Sequence, residues 1–324
     1  MAPTFWMITN REVKSKDKGL GRDIADLTHW VSDGGDLTSL KNWKAATAAS
    51  FDKLLLGAAD KFPKCAPEDN QEEKHVTLFV HGYNNDWKEA VTRYETICKG
   101  LFEGPDSMGI CVLFTWPSDG MKLGYYPDRA DARKSAPHLA EVLNRLYDAL
   151  LLRQHIGVDN PAKSCRAKIS LIAHSMGNYL LQKAMQYTWS RSNQPLLVSL
   201  ITQLLMVAAD VDNDLFKGGE TTDLTDGDAI ANLTYRITAL YTPRDNVLGM
   251  SAGLKHFGKR RLGRSGLHDK NDVSDNVWDF DCTKLIPPKT DNVHSFYFDA
   301  DATYKLMRLI LKGVDRHVIE QQYA

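Results

Sequence analysis

Residues 169–187 read ISLIAHSMGNYLLQKAMQY, and this stretch decides the fold. Its first part is a short apolar run rich in isoleucine and leucine, which is typical of a buried β-strand. Its second part, from Asn178 onward, has the pattern of a helix. Only a tight turn over residues 174–177 separates the two. A buried strand that passes directly into a helix is the repeating unit of α/β proteins with a parallel sheet.

The same alternation of apolar runs and helical patterns continues along the chain in both directions. Strand-like runs are predicted at 76–82, 109–117, 167–175, 199–211, 232–242 and 293–298. Helices are predicted at about 40–60, 86–102, 128–155, 176–191 and 302–320. Because the strand-like runs are continuously hydrophobic, both faces of the sheet should be covered. The sequence therefore predicts an α/β fold with a mostly parallel central sheet and helices on both faces.

The length of 324 residues suits one large domain with additions. Residues 76–324 are predicted to form this domain, with loop insertions at about 212–231 and 246–292. Loops of such length inside a compact domain usually serve as functional lids or rims. Residues 1–75, which open with a strand at 5–9, are predicted as an N-terminal extension that packs on the same domain.

The composition disfavours several classes of partner. The chain holds 40 Lys plus Arg and 41 Asp plus Glu, so its formal charge of -1 creates no overall field toward nucleic acid or an anionic membrane. A basic, glycine-containing run at 255–266 is interpreted as a solvated loop rim, with phosphate or nucleic-acid binding as the alternative. No apolar run reaches the ~20 residues that span a bilayer, and the first residues do not follow a signal-peptide pattern. A cytoplasmic protein is expected.

Ser175 is the predicted nucleophile, because it lies in the tight turn between the strand and the helix. A serine in such a turn, usually within G-x-S-x-G, forms a nucleophile elbow. Here Ala173 replaces the first glycine, which adds only one methyl group. The helix that follows directs its positive end at a developing oxyanion. The alternative interpretation is a serine that merely caps the helix.

The strand at 76–82 leads into HGYNNDW, which is predicted to supply an oxyanion-binding group. Gly82 permits a sharp turn, so that the next main-chain N–H can face the reaction centre. The predicted donors are the main-chain N–H groups of Tyr83 and Met176. His81 is interpreted as a structural histidine rather than as a general base, and Asp86 is a candidate cap for the next helix.

A serine nucleophile needs an imidazole that takes its proton and a carboxylate that orients this imidazole. His294 is the predicted base, because it opens the last strand-like run at 293–298. Asp245 follows the run at 232–242 and is the preferred acid. Asp210, which follows the preceding run, stays open as the alternative acid. Either aspartate could instead be a turn or capping residue.

Several motifs together resemble one bacterial family of α/β-hydrolases of unknown function. They are, in chain order, TNR at 9–11, HGYNNDW at 81–87, LFTWPSDG at 113–120, AHSMGNYLL at 173–181, AADVDNDLF at 208–216, LYTPRDNVL at 240–248, RLG at 261–263 and HSFYF at 294–298. The resemblance covers most of the chain. It implies an α/β-hydrolase fold and a serine-hydrolase scaffold of the esterase or lipase type.

The expected activity is hydrolysis of carboxylic esters, with short to medium acyl chains, through an acyl-enzyme. Trp116, Tyr125 and Asn84 are the predicted substrate-contacting residues, although Trp116 and Tyr125 could equally be packing residues. Amidase, peptidase or thioesterase activity on the same triad is the alternative, and a non-catalytic binding module is less favoured. No metal or organic cofactor is expected, since the proposed serine mechanism needs none. The five cysteines also lack the CxxC spacing of a zinc cluster. The expected partner is a small-molecule ester.

Overall fold

The computed structural model describes residues 4–62, 74–118, 125–159, 167–191, 199–217, 227–256 and 258–323. These ranges hold nine strands and nine α-helices. The chain forms two compact units, one of residues 1–79 and 83–170 and the other of residues 80–82 and 171–324. The predicted α/β class is confirmed. The predicted extension, residues 1–75, falls in the first unit together with residues 83–170, and its packing on one common domain stays a prediction.

The first unit has strands in the order β3-β2-β1-β5-β4. They are β1 (Phe5–Ser15), β2 (Gly19–Ser32), β3 (Lys44–Ala46), β4 (His75–Val80) and β5 (Gly109–Thr115), and the helices are α1 (Ala48–Ala59), α2 (Trp87–Ile97) and α3 (Tyr125–Asp159). β1 pairs in parallel with β5 and in antiparallel with β2. β1 therefore joins the N-terminal hairpin to the parallel part of the sheet, and β2 and β3 continue the sheet beyond it.

The β1–β2 hairpin is longer than the predicted opening strand at 5–9. Its middle part carries exposed charged residues, namely Arg22, Asp23 and Asp26. This part is held by pairing to β1 rather than by burial of both faces. Apolar periodicity alone does not detect such a segment, because an exposed ribbon needs few apolar side chains.

The second unit has strands in the order β6-β7-β8-β9. They are β6 (Lys168–His174), β7 (Ile201–Val207), β8 (Thr234–Tyr241) and β9 (Val277–Asp281), and the helices are α4 (Gly177–Arg191), α5 (Asp228–Leu233), α6 (Asn246–Met250), α7 (Leu262–Ser265), α8 (Asp301–Leu311) and α9 (Arg316–Tyr323). β7, β8 and β9 are parallel neighbours.

Two predictions in this unit are wrong. The run at 293–298 is a turn followed by a 3-10 helix, Phe296–Phe298, and not a strand. The run is rich in aromatic residues because Tyr297 and Phe298 pack in the core, where both are fully buried, and not because they pair in a sheet. Conversely, β9 lies inside the predicted loop at 246–292. Its sequence VWDFD contains two aspartates, one of which is buried and accepts a hydrogen bond from Leu267 N–H at 2.9 Å.

The loop from β4 to α2 ends in a well-formed helix cap. The Asp86 side chain accepts a hydrogen bond from Glu89 N–H at 2.9 Å, and the Glu89 carboxylate accepts one from Asp86 N–H at 2.8 Å. This reciprocal capping box fixes the start of α2. Residues 81–86 are called the β4–α2 loop below.

Some predicted features fall outside the described residues: Asp119 and Gly120 of the LFTWPSDG motif, positions 218–226 of the first loop insertion, and Cys65 and Cys165. The other cysteines, Cys98, Cys111 and Cys282, are buried free thiols, and burial raises the pKa of Cys111 and Cys282 well above the ordinary value. Within the described ranges, no helix combines the length and the apolar character needed to cross a membrane.

Candidate active site

Ser175 occupies a strained turn between β6 and α4. Its φ of 52° lies in the left-handed region, which costs a non-glycine residue on the order of 1–3 kcal/mol. Three main-chain hydrogen bonds hold the turn: Ser175 N–H donates to Val207 O at 3.0 Å, and the Ser175 carbonyl accepts from Asn178 N–H and Asp210 N–H, both at 3.1 Å. Ser175 therefore lies at a sharp elbow that the ends of β6 and β7 hold in place.

The residues around this elbow are small because the backbone is crowded. A Cβ at position 177 would lie 2.6 Å from the carbonyl oxygens of both Val80 and His81. A Cβ at position 82 would lie 2.8 Å from Ser175 Cβ. Both distances are shorter than any normal contact, so only glycine fits at either position. Ala173 is fully buried in β6, where its methyl group is accommodated.

The structure brings Asp245 and His294 together. Their side chains form a hydrogen bond of 2.7 Å between His294 Nδ1 and Asp245 Oδ2. Asp245 is fully buried and His294 is 9% exposed. An ionised carboxylate can only accept, so opposite such a group a neutral imidazole carries its proton on Nδ1 and has its lone pair on Nε2. This is the tautomer that a general base at Nε2 requires.

Asp245 is itself held by the start of α6. Its second oxygen, Oδ1, accepts a hydrogen bond from Leu248 N–H at 2.9 Å, which makes Asp245 the N-cap of that short helix. The Asp245 carbonyl accepts a hydrogen bond from Arg264 Nη1. Both the side chain and the main chain of Asp245 are therefore fixed in one orientation.

His174, for which the sequence suggested no role, connects His294 to the elbow. It directly precedes Ser175, and its Nε2 forms a hydrogen bond of 3.0 Å with the His294 carbonyl oxygen. The two imidazole rings lie 4.9 Å apart, and the His174 ring also contacts Phe298 at 5.3 Å. The turn that carries His294 is thus attached to the residue next to Ser175. The only sequence signal is a histidine beside the serine of the elbow.

Asp210, the alternative acid, has other partners than His294. Its Oδ1 accepts hydrogen bonds from Arg261 Nε at 2.8 Å and from Ser251 Oγ at 3.0 Å. Arg261 is 1% exposed and also pairs with Asp212. The interpretation of residues 255–266 as a solvated rim is therefore wrong for Arg261. Its guanidinium is buried because it forms an ion pair with the buried carboxylate of Asp210. Lys259 and Arg260 of the same run are exposed.

The two predicted oxyanion donors lie at the first turn of α4 and in the β4–α2 loop. Met176 follows Ser175, and helix N–H groups in a first turn have no partner within their own helix. Tyr83 follows Gly82, and its ring packs edge-on against Tyr125 at 5.6 Å. Burial raises the pKa of the Tyr83 phenol, and the Asp128 carboxylate raises it further. Tyr83 is therefore a neutral phenol at physiological pH.

The predicted substrate-contacting residues differ in exposure. Trp116 is fully buried and Tyr125 is 3% exposed, so both pack inside the first unit and offer almost no surface to a ligand. Asn84 is partly exposed and has a φ of 58°. Its side-chain carbonyl oxygen is buried without a hydrogen-bond partner. Of the three, only Asn84 has accessible surface to offer.

No cluster of three or more His, Cys, Asp or Glu side chains in the described part of the chain has an arrangement that could hold a metal ion.

Comparison with known proteins gives a family and several distant relatives. Residues 66–311 match the model of a family described as "Alpha/beta hydrolase of unknown function (DUF900)". An uncharacterized protein from Nostoc sp. (strain PCC 7120) is 26% identical over 224 residues, which are 58% of this chain and 52% of that protein. The chain thus spans about half the length of this curated relative.

Similar solved structures include the RedJ thioesterase from the prodiginine biosynthetic pathway of Streptomyces coelicolor, with 11% identity and a TM-score of 0.35 over 78% of this chain and 97% of the other. A hyperthermophilic esterase from Pyrobaculum calidifontis has 11% identity and a TM-score of 0.35, over 81% of this chain and 90% of the other. Likeness of this degree carries no information on activity.

Proposed function

The chain belongs to a family of α/β-hydrolases of unknown function, and we propose that it is a serine hydrolase that cleaves carboxylic esters through Ser175, His294 and Asp245. The match confirms the resemblance drawn from the motifs. The observation that carries the proposal is the buried 2.7 Å hydrogen bond between His294 and Asp245. His174 attaches this pair to the strained turn that presents Ser175. A serine, an oriented imidazole and a buried carboxylate are the three parts of a hydrolytic triad.

In the proposed reaction, Ser175 Oγ attacks the ester carbonyl carbon while His294 Nε2 takes the hydroxyl proton. The tetrahedral intermediate collapses, and the alcohol leaves with the proton from the imidazolium. Water then attacks the acyl-enzyme and gives a proton to His294. The acid leaves when the bond to Ser175 breaks and the proton returns to the serine. Asp245 keeps the imidazole in the required tautomer and stabilises its charged form.

The proposed oxyanion donors are the N–H groups of Met176 and Tyr83. The negative charge on the carbonyl oxygen develops only in the transition state, so donors that are already fixed stabilise it selectively. The position of Met176 at the N-terminus of α4 adds the favourable end of the helix dipole. Gly82, where an added Cβ would lie 2.8 Å from Ser175 Cβ, directly precedes Tyr83 in the chain.

Asp245 is preferred to Asp210 as the acid because of their different partners. Asp245 contacts the imidazole, whereas the Asp210 carboxylate is engaged by the Arg261 guanidinium and the Ser251 hydroxyl. A carboxylate already paired with a buried arginine gains little by orienting a second cation. We assign Asp210 to the support of the second unit rather than to the triad.

We expect short to medium acyl chains, with Asn84 as the predicted residue that contacts the substrate. The same triad would attack an amide or a thioester carbonyl, so amidase, peptidase and thioesterase activities are alternative outcomes of the test below. A non-catalytic binding module would keep the fold without needing the His294–Asp245 hydrogen bond.

The test is hydrolysis of p-nitrophenyl esters of graded chain length by the wild type and by Ser175→Ala. Loss of the nucleophile should reduce kcat by on the order of 10³-fold or more. Ser190→Ala is the matched control, since Ser190 is an exposed serine on the same helix and should leave kcat unchanged. Undiminished turnover by Ser175→Ala would exclude the proposed mechanism. Turnover of amides or thioesters in preference to esters would exclude the proposed substrate class.

A further inference from the structure

Two consecutive main-chain N–H groups of the β4–α2 loop are held by buried side chains. Asn84 N–H donates to Asp128 Oδ2 at 3.2 Å, and Asn85 N–H donates to Ser118 Oγ at 3.2 Å. The Ser118 hydroxyl in turn donates to the same Asp128 oxygen at 2.6 Å. Ser118 and Asp128 are both fully buried. One carboxylate oxygen and one hydroxyl therefore fix two peptide groups of the loop.

Arg11 of β1 binds one carbonyl group of the same loop, that of Asn85. Its Nη2 donates to Asn85 O at 2.9 Å, its Nη1 to Ser118 O at 3.4 Å and its Nε to Thr115 Oγ1 at 3.0 Å. The side chain is 1% exposed. A guanidinium is a rigid planar fork, so its direction is defined once several of its N–H groups are bound. The loop is thus fixed from both sides.

This arrangement is costly and is not explained by stability. Removing a guanidinium and a carboxylate from water costs several kcal/mol per ion. Apolar side chains of similar volume often give equal or greater stability. The loop that these charges support is itself strained at Asn84, with a φ of 58°, and such a conformation persists only where its surroundings impose it. What the buried charges provide is a defined position for residues 83–85.

We propose that Arg11, Ser118 and Asp128 are positioning residues that fix the orientation of the Tyr83 N–H for binding of the oxyanion. We call these three residues the loop clamp. Asn84 and Asn85 follow Tyr83 directly, and the Asn85 side-chain amide also donates to Tyr83 O at 2.8 Å. Fixing the peptide groups on the C-terminal side of Tyr83 limits the rotation of its own N–H. The inference rests on the proposed serine-hydrolase function.

The loop clamp gives the TNR and LFTWPSDG motifs one common role, since Arg11 belongs to the first and Thr115 and Ser118 to the second. Oxyanion donors must lie within a few tenths of an ångström of their required position, and removal of one donor costs about 10²–10³ in kcat. A donor that is displaced rather than removed should cost less.

The test compares Ser118→Ala with Ser135→Ala. Ser135 is the matched control because it is also a fully buried serine of the first unit whose hydroxyl accepts one hydrogen bond, and this bond comes from Asn10 Nδ2 at 2.9 Å rather than from a loop N–H. Each variant is titrated with a fluorophosphonate, whose phosphorus bonds to Ser175 Oγ as fluoride leaves. The end point counts folded sites, and kcat for p-nitrophenyl butyrate is then expressed per titrated site.

We expect Ser118→Ala to lower kcat per titrated site by about 10- to 100-fold with KM changed by less than about 3-fold. Ser135→Ala should keep the wild-type kcat per site. Asp128→Asn and Arg11→Lys keep the shape or the charge of the clamp and should show the same kcat loss, so the conclusion does not depend on one variant folding. A merely structural role would reduce the number of titrated sites and leave kcat per site unchanged.

The outcomes separate the clamp from the proposed function. If the wild type is labelled at Ser175 but the clamp variants equal Ser135→Ala in kcat per site, the clamp is wrong and the serine-hydrolase function stands. If the wild type is neither labelled at Ser175 nor active on esters, the proposed function fails, and the clamp fails with it.

Discussion

At the scale of single residues, the two candidate acids of the second unit, Asp245 and Asp210, should respond differently to loss of charge. Asp245→Asn replaces an acceptor by an amide that can face His294 Nδ1 with its NH₂ group and so favour the wrong tautomer, which should reduce kcat by on the order of 10³–10⁴. Asp210→Asn should leave kcat within about 3-fold but lower the free energy of unfolding by about 1–3 kcal/mol, because Arg261 loses a charged partner.

Ester turnover and urea denaturation of both variants measure these two effects. A large loss of kcat in Asp210→Asn together with a mild one in Asp245→Asn would reverse the assignment of the acid. Equal mild losses of kcat in both variants would place the orienting group elsewhere.

The sequence located the residues whose roles follow from a local motif, and not those whose roles follow from tertiary contacts. Ser175 could be placed in a tight turn because the strand, the serine and the helix are contiguous. His174 was not singled out because its contact with His294 joins residues 120 positions apart. The interpretation of residues 255–266 failed at Arg261 for the same reason, since its partner Asp210 is 51 positions away.

At the scale of elements, the surroundings of two helical glycines, Gly177 in α4 and Gly57 in α1, predict opposite effects of a substitution by alanine. Gly177→Ala should lower the free energy of unfolding by about 1–3 kcal/mol, because its Cβ would meet two carbonyl oxygens at 2.6 Å. Gly57→Ala in α1 should raise it by about 0.5–1 kcal/mol, because nothing lies within 4 Å of the added Cβ and alanine favours the helix. Urea denaturation midpoints compare the two variants, and a shift of the same sign in both would contradict this account.

Elements were predicted correctly where burial and pattern agree. α4 follows the elbow as expected, and β8 lies within the predicted run at 232–242. β9 was missed because its buried aspartate has its own hydrogen-bond partners, which a hydropathy pattern does not reveal. The aromatic run at 293–298 was assigned to a strand because core packing and sheet pairing favour the same residue types.

At the scale of the whole molecule, His29 in β2 links stability to pH. Burial, and next the Arg145 guanidinium, lower its pKa from 6.5 to about 4, with Asp52 acting in the opposite direction. Between these two values the unfolded chain binds a proton that the folded chain does not. The free energy of unfolding should therefore fall as the pH drops from about 7 toward 4.

Thermal denaturation at pH 7 and pH 5 tests this contribution. The melting temperature of the wild type should fall more between pH 7 and pH 5 than that of His29→Phe. This variant keeps a ring against Phe51 but has no titratable group at position 29. Equal losses in the two proteins would show that His29 does not contribute. Carboxylates titrate in both proteins alike, so the difference between them isolates the histidine.

The fold class followed from the order of apolar runs over the whole chain, and the division into two compact units did not. Residues 1–75 differ from the rest of the chain in sequence pattern, which suggests a separate extension. In the structure, however, β1 pairs with β5, a strand that begins at Gly109. A pairing over about a hundred residues leaves no signal in local composition.

The central claim is that Ser175 is a nucleophile in a Ser-His-Asp triad. Mass-spectrometric mapping of the fluorophosphonate adduct on the wild-type chain tests it most directly. The account predicts one adduct per chain, located on Ser175, with no adduct formed on Ser175→Ala and strongly slowed formation on Asp245→Asn. An adduct on another residue, or ester hydrolysis that proceeds while Ser175 stays unmodified, would contradict it.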